Sequence, residues 1–249
     1  MGHWWAADKS GERSAGRGRG LLIAVVVCAV AALIAVILVG RHHGGGSASP
    51  TLPTPSPRSP VTSPAASPLP GPTAVPTIAP DDTKWSLFNG LALPSSPTAG
   101  PSRIDGPVYA GYAHTPDGAL FAAAQIGVRY LATPGDGWRQ VLAQQVVPGP
   151  GVATYTKNRE QAGLGDAPTI DTTGTGQFVG FRFLTYTPQV AVLQLVVRFP
   201  QNGRYQASTT TLQWVAGDWK LQLLPDGSSA STTQQIATLA GYVAWSGVG

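Results

Sequence analysis

Cysteine is almost missing from this chain. Its 249 residues include one, Cys28. That residue lies in an apolar run, so the rest of the chain has no disulfide and no thiol chemistry. Histidine is scarce as well: of four, only His114 follows residue 80. A zinc site needs three or four nitrogen or sulfur ligands, so no metal centre is read here. A Ser-His-acid triad would have to use His114, which stands just before a helix start, the setting of a surface or supporting residue. Glu160 is the only glutamate after residue 80 and sits beside Lys157 and Arg159 on a helix expected to be exposed. Paired carboxylates for acid–base work are therefore not identifiable. G-x-S-x-G, P-loop and dinucleotide fingerprints are absent. Gly174-Thr175-Gly176 reads as a flexible loop. Asp166 and Asp171 are candidate cation ligands at most, and solvated loop acids are the simpler reading. No catalytic, cofactor-binding or metal residue is assigned, no cofactor is expected, and the chain is read as not an enzyme.

What the chain does have is strongly segmented. Residues 21–40 (LLIAVVVCAVAALIAVILVG) carry no charge. Twenty residues at a helical rise of about 1.5 Å span about 30 Å, the thickness of a bilayer core. Lys9, Arg13, Arg17 and Arg19 precede the run, and Arg41 follows it. The positive-inside rule then predicts a cytoplasmic tail (1–20), a transmembrane helix (21–40) and everything later outside the cell membrane. Residues 41–80 interleave proline with Ser, Thr and Ala. Such a stretch cannot bury a core and tends to polyproline II, reaching about 120 Å if fully extended. It is read as a disordered stalk. The net charge of +4 belongs to the first 58 residues. From Asp81 to Gly249 ten basic residues balance ten acidic ones. The basic pI therefore reflects topology, and the outer domain is not expected to bind nucleic acid.

Residues 81–249 read as an α+β domain, helices first and strands later. A short strand is expected within Gly106–Ala113. Thr115-Pro116-Asp117 combines a capping hydroxyl, a first-turn proline and a carboxylate at the positive helix end. The helix it starts should run to about Leu131, mostly buried. Pro134-Gly135-Asp136 stops it and starts a second helix, with Trp138, Val141, Leu142 and Val146 on one face. A polar helix is predicted over Val152–Gln161, and a loop over 163–176. Strands follow at Phe178–Tyr186, Val190–Phe199, Arg204–Val215 and Trp219–Leu224, the second central and covered on both faces. A charge at Val192 or Leu195 is accordingly expected to abolish folding. Asn202-Gly203 is a hairpin signal. Ile236, Leu239, Ala240 and Val243 at helical spacing predict a last helix over Thr232–Trp245. Trp138, Trp214, Trp219 and Trp245 are read as core aromatics, with a ligand pocket as the alternative.

Helices followed by a curved antiparallel meander are similar to the cone-like fold of the superfamily named after nuclear transport factor two. The layout of tail, span, stalk and outer domain resembles the bitopic scaffold subunits of type IV secretion machines. GPVYAGYAHTPDGALFAAAQ, TLQWVAGDWKLQLLPDGS and GYVAWSGV resemble uncharacterised single-pass proteins of conjugative elements in high-GC Gram-positive bacteria. The likeness covers about residues 85–249. Its motifs are turns and tryptophans, so it implies no catalytic residue. It implies a membrane-anchored structural part of a conjugation apparatus. Its partners would be the bilayer, through 21–40, and other subunits or copies of itself. Binding of an envelope lipid or small molecule is the alternative.

Overall fold

The computed structural model describes residues 73–162 and 176–247. The expected span at 21–40, the stalk up to residue 72, and Asp166, Asp171, Gly174 and Thr175 lie outside them. No helix among the described residues is long and apolar enough to cross a membrane.

The described domain is α+β. Contrary to the helices-first order, two small antiparallel ribbons come first: β1 (Lys84–Phe88) with β2 (Leu91–Ser95), and β3 (Arg103–Asp105) with β4 (Val108–Ala110). Three helices follow, α1 (Pro116–Ala132), α2 (Gly137–Gln145) and α3 (Pro150–Gln161). Then come β5 (Gln177–Tyr186), β6 (Val190–Arg198), β7 (Tyr205–Val215), β8 (Asp218–Leu221), β9 (Ala230–Ile236) and β10 (Val243–Ala244). These last six form one antiparallel sheet in the order β10-β5-β6-β7-β8, with β9 also on β7.

The start of α1 follows from its local sequence. Thr115 Oγ1 accepts from the Gly118 amide at 3.1 Å, and Pro116 fills the first turn. From there the helix is almost wholly buried, as Ala119 to Ala124 require. It packs on β6, β7 and β8, with α2 and β2 beside it. Between helix and sheet lie Phe121, Phe181, Leu193, Leu212, Trp219 and Leu221, each at most 1% exposed. Trp138, Val141 and Leu142 add the buried face of α2. Val146 is buried too, but it leaves the helix to bridge Leu221 in parallel.

β6 is central, between β5 and β7. Its two faces differ. Ala191, Leu193 and Leu195 join the main core. The opposite face carries a polar row in cross-strand register, Arg182↔Gln194↔Thr209↔Thr232. Arg182 Nη2 donates to Gln194 Oε1 at 2.7 Å, Gln194 Nε2 to Thr209 Oγ1 at 3.0 Å, and the Thr209 and Thr232 hydroxyls meet at 2.7 Å. Val192, on that face, is only half-buried.

The last predicted helix is not formed. Thr232–Trp245 is instead most of β9, a turn, and β10. The reason lies in β7, whose eleven residues outrun their neighbour: β8 pairs only Leu212–Val215. Backbone groups along Tyr205–Thr210 would be left without partners, and β9 pairs them. Gly241, at φ +80°, then turns the chain back to β5 in a conformation no helix allows.

Candidate functional site

The domain begins and ends at one place. Trp85 of β1 and Trp245, just past β10, approach with ring centroids 5.1 Å apart. Gly247 lies against the Trp85 indole, where a side chain at that position would meet the ring at 2.4 Å. Trp245 also packs edge-on to Phe121 and Phe181, at 5.5 Å each, which ties this corner to the core. Its Nε1 donates to Thr83 Oγ1 at 3.2 Å, and Thr83 Oγ1 donates to the Pro80 carbonyl at 2.6 Å. Pro80 is thus linked through Thr83 to the last tryptophan of the domain.

An open cleft of about 500 Å³ lies at this corner. Trp85, Val179, Tyr205, Leu239 and Trp245 give it apolar walls, and Asp81 and Thr83 give it polar ones. The cleft is wide open to solvent, and polar groups make up a large share of its walls. Behind it, Asp82 accepts from Ser96 Oγ at 2.5 Å, from Thr98 Oγ1 at 2.7 Å and from the Thr98 amide at 3.3 Å. The Ser96 and Thr98 hydroxyls hold its carboxyl below the usual range.

Asp117 behaves in the opposite way. Its Oδ1 is buried with no hydrogen-bond partner. Desolvation, then the charges of Asp82 and Asp81, raise its carboxyl above the usual range. The favourable helix-end charge expected of Asp117 is therefore opposed by burial. His114 lies elsewhere in its contacts. It stacks on Trp214 with centroids 3.9 Å apart and meets Trp219 edge-on at 5.9 Å. Its Nε2 donates to the Pro188 carbonyl. Trp219 Nε1 donates to the Ala113 carbonyl at 3.0 Å. Asp218 accepts from the Gly111 and Tyr112 amides at 2.7 and 3.0 Å. These contacts fasten the segment before α1 to β8 and the β5–β6 turn. No hydrogen bond joins His114 to Asp117. Among the described residues, no three His, Cys, Asp or Glu side chains converge as a metal site would require.

Of the four tryptophans singled out in the sequence, Trp138, Trp219 and Trp245 are core residues, at 1–3% exposure. Trp214 is partly buried beside them, and only Trp245 reaches the cleft. Trp85 and Tyr205 carried no sequence signal, because their partners are far along the chain. Glu160 is exposed, as expected, and its Oε1 meets Arg139 Nη1 at 2.8 Å. Arg159 beside it is buried instead, at 4% exposure. Its guanidinium donates to the carbonyls of Tyr130, Leu131 and Thr133 at 2.9–3.0 Å. It lies 4.7 Å from the Trp138 ring centre. Those carbonyls belong to the end of α1, where a cation is favourable.

The family described as Domain of unknown function (DUF8175) matches residues 46–244. The match starts inside the proline-rich stretch and ends with β10. No curated protein and no solved structure matches the chain.

Proposed function

This chain belongs to that DUF8175 family, and from this premise we propose that it is a membrane-anchored, non-catalytic assembly component. Residues 21–40 are the anchor, the N-terminus is cytoplasmic, and the α+β domain stands outside the membrane on its proline-rich stalk. The apparatus it serves is of the conjugation, type IV secretion-like kind, and the sheet takes the curved, cone-like form of those scaffold subunits. The observation that carries this reading is the filled space between α1 and the sheet. Phe121, Phe181, Leu193, Leu212, Trp219 and Leu221, each at most 1% exposed, pack that space with side chains. A domain with such a core acts through its surface. Deleting residues 81–249 while retaining the anchor should abolish transfer or secretion by the host element. The double variant His114→Ala/Asp117→Ala should retain it. Loss of transfer in the double variant, in a protein that still folds and reaches the membrane, overturns the reading.

The cleft at Trp85, Tyr205 and Trp245 favours a second reading, binding of an envelope lipid or small molecule. Native mass spectrometry of the purified full chain checks it. A retained lipid that is lost in Tyr205→Ala supports lipid carriage, and an unliganded mass in the wild type removes it.

A further inference from the structure

We propose that β9 is the edge through which two copies of this chain join, strand against antiparallel strand, so that their sheets continue into one. The proposal deepens the assembly reading, on which it rests, by naming a partner: a second copy.

The other edges of the main sheet are covered only in part, and their open stretches carry charge: Asp218 and Lys220 on β8, and Arg182 on the part of β5 beyond its pairing with β10. Beyond β8, Val146 bridges Leu221 and the Val147 amide donates to the Leu221 carbonyl at 2.9 Å. Beyond β5 lies β10, and the Trp245 amide donates to the Val179 carbonyl at 3.0 Å. β9 has β7 on one side and no strand on the other among the described residues. Ser231 to Gln235 are exposed on both faces. Half the backbone donors and acceptors of a seven-residue strand therefore face outward, ready for a further strand.

Natural edge strands are usually blunted by charge, proline or a short length. The small ribbons follow that habit: β1 carries Lys84, and β3 carries Arg103 and Asp105 over three residues. β9, ASTTQQI, has no charge and no proline; its one irregularity is a register shift at Ser231, between the pairs Thr210↔Ala230 and Thr209↔Thr232. No charged residue follows Asp226 anywhere in the chain. An uncharged edge offers nothing to select a charged partner. It also brings no like charges together when it meets itself. An antiparallel pair about a two-fold axis places Thr233, the middle residue of β9, opposite its own copy, and each favourable contact occurs twice. Threonine and glutamine side chains suit such a ladder.

The test uses the full chain in mild detergent, with self-association followed by analytical ultracentrifugation. Thr233 is exposed, so Thr233→Lys and Thr233→Asp should still fold and melt cooperatively. The wild type should dimerise. Each variant alone should associate at least tenfold more weakly, since like charges then face across the axis. An equimolar mixture of the two should recover dimers, now mixed. A wild type that stays monomeric at 100 μM overturns the proposal. A dimer unchanged in both variants also overturns it, while leaving self-association through another surface, and with it the assembly reading, intact. Stoichiometric co-purification of β9 with a different chain in place of its copy overturns it as well.

Discussion

Arg159 sits in a run of polar residues, Thr156 to Gln161, and nothing in its neighbours marks it as interior. Its burial is decided by the end of α1, whose last carbonyls have no partners within the helix. Replacing it with methionine keeps much of the packing but removes the donor from the Leu131 and Thr133 carbonyls, while the Tyr130 carbonyl keeps the Tyr155 hydroxyl. Arg159→Met should cost about 3 kcal/mol in urea unfolding. Arg159→Lys should recover only part of this, because a single ammonium cannot reach several carbonyls as the planar fork does. Asp82 and Asp117 make opposite predictions. Asp82 has a lowered carboxyl pKa, so its contribution is present above the unfolded value and is lost as pH falls through the folded one. Asp117 has a raised one, so its ionised form costs stability, and the cost disappears as pH falls through the raised value. At pH 7, Asp82→Asn should lower the melting temperature and Asp117→Asn should raise it. Both differences should shrink toward zero below the carboxylate range. Parallel shifts at every pH would contradict the assigned environments.

Among the elements, β6 is the most sensitive to charge, but not evenly along its length. Val192 and Leu195, where aspartate was expected to abolish folding alike, have different surroundings. Leu193 is fully buried and Leu195 nearly so, whereas Val192 is half-buried on the side of the polar row. Leu193→Asp and Leu195→Asp should leave no cooperative melt by circular dichroism, since an unpaired buried charge costs several kcal/mol, roughly. Val192→Asp should still melt cooperatively, at a lower temperature. Near wild-type behaviour of Leu193→Asp would place β6 outside the core. The apolar run of β6 was legible in the sequence. The single polar residue within it, Gln194, was the signal that one face differs, and its meaning depends on Arg182, Thr209 and Tyr242 in other elements. Tyr242 donates to the same Gln194 Oε1 at 2.8 Å.

At the scale of the molecule, the folded unit begins before Asp81. Ala79 packs against the core, and the Pro80 carbonyl accepts from Thr83. A soluble fragment of residues 73–249 should therefore unfold cooperatively in calorimetry. One starting at Asp81 should melt lower, having lost that wall of the cleft. Equal melting temperatures would show that the Pro80–Thr83–Trp245 connection contributes nothing. The proposed topology has its own measurement. Alkaline phosphatase fused after Gly249 should be active, and activity of a cytoplasmic reporter alone at that position would reverse the orientation.

The sequence by itself determined what is local. The α1 start is written in Thr115-Pro116-Asp117, the break before α2 in Pro134-Gly135-Asp136, and the β6–β7 turn in Asn202-Gly203, because caps and turns are satisfied within a few residues. Alternation of Trp219, Leu221 and Leu223 likewise fixed the buried face of the last predicted strand. Only the tertiary structure decided the elements whose partners are distant. The helical spacing of Ile236, Leu239, Ala240 and Val243 is real, yet this segment is sheet, because the unpaired length of β7 competes for it and Gly241 permits the turn. The cleft joins Trp85 to Trp245 across most of the domain, and Arg159 is drawn inward by carbonyls 26 to 29 residues earlier. Side-chain spacing reports a residue's neighbours along the chain. Backbone groups left unsatisfied by one element are answered by whichever segment the fold brings beside them.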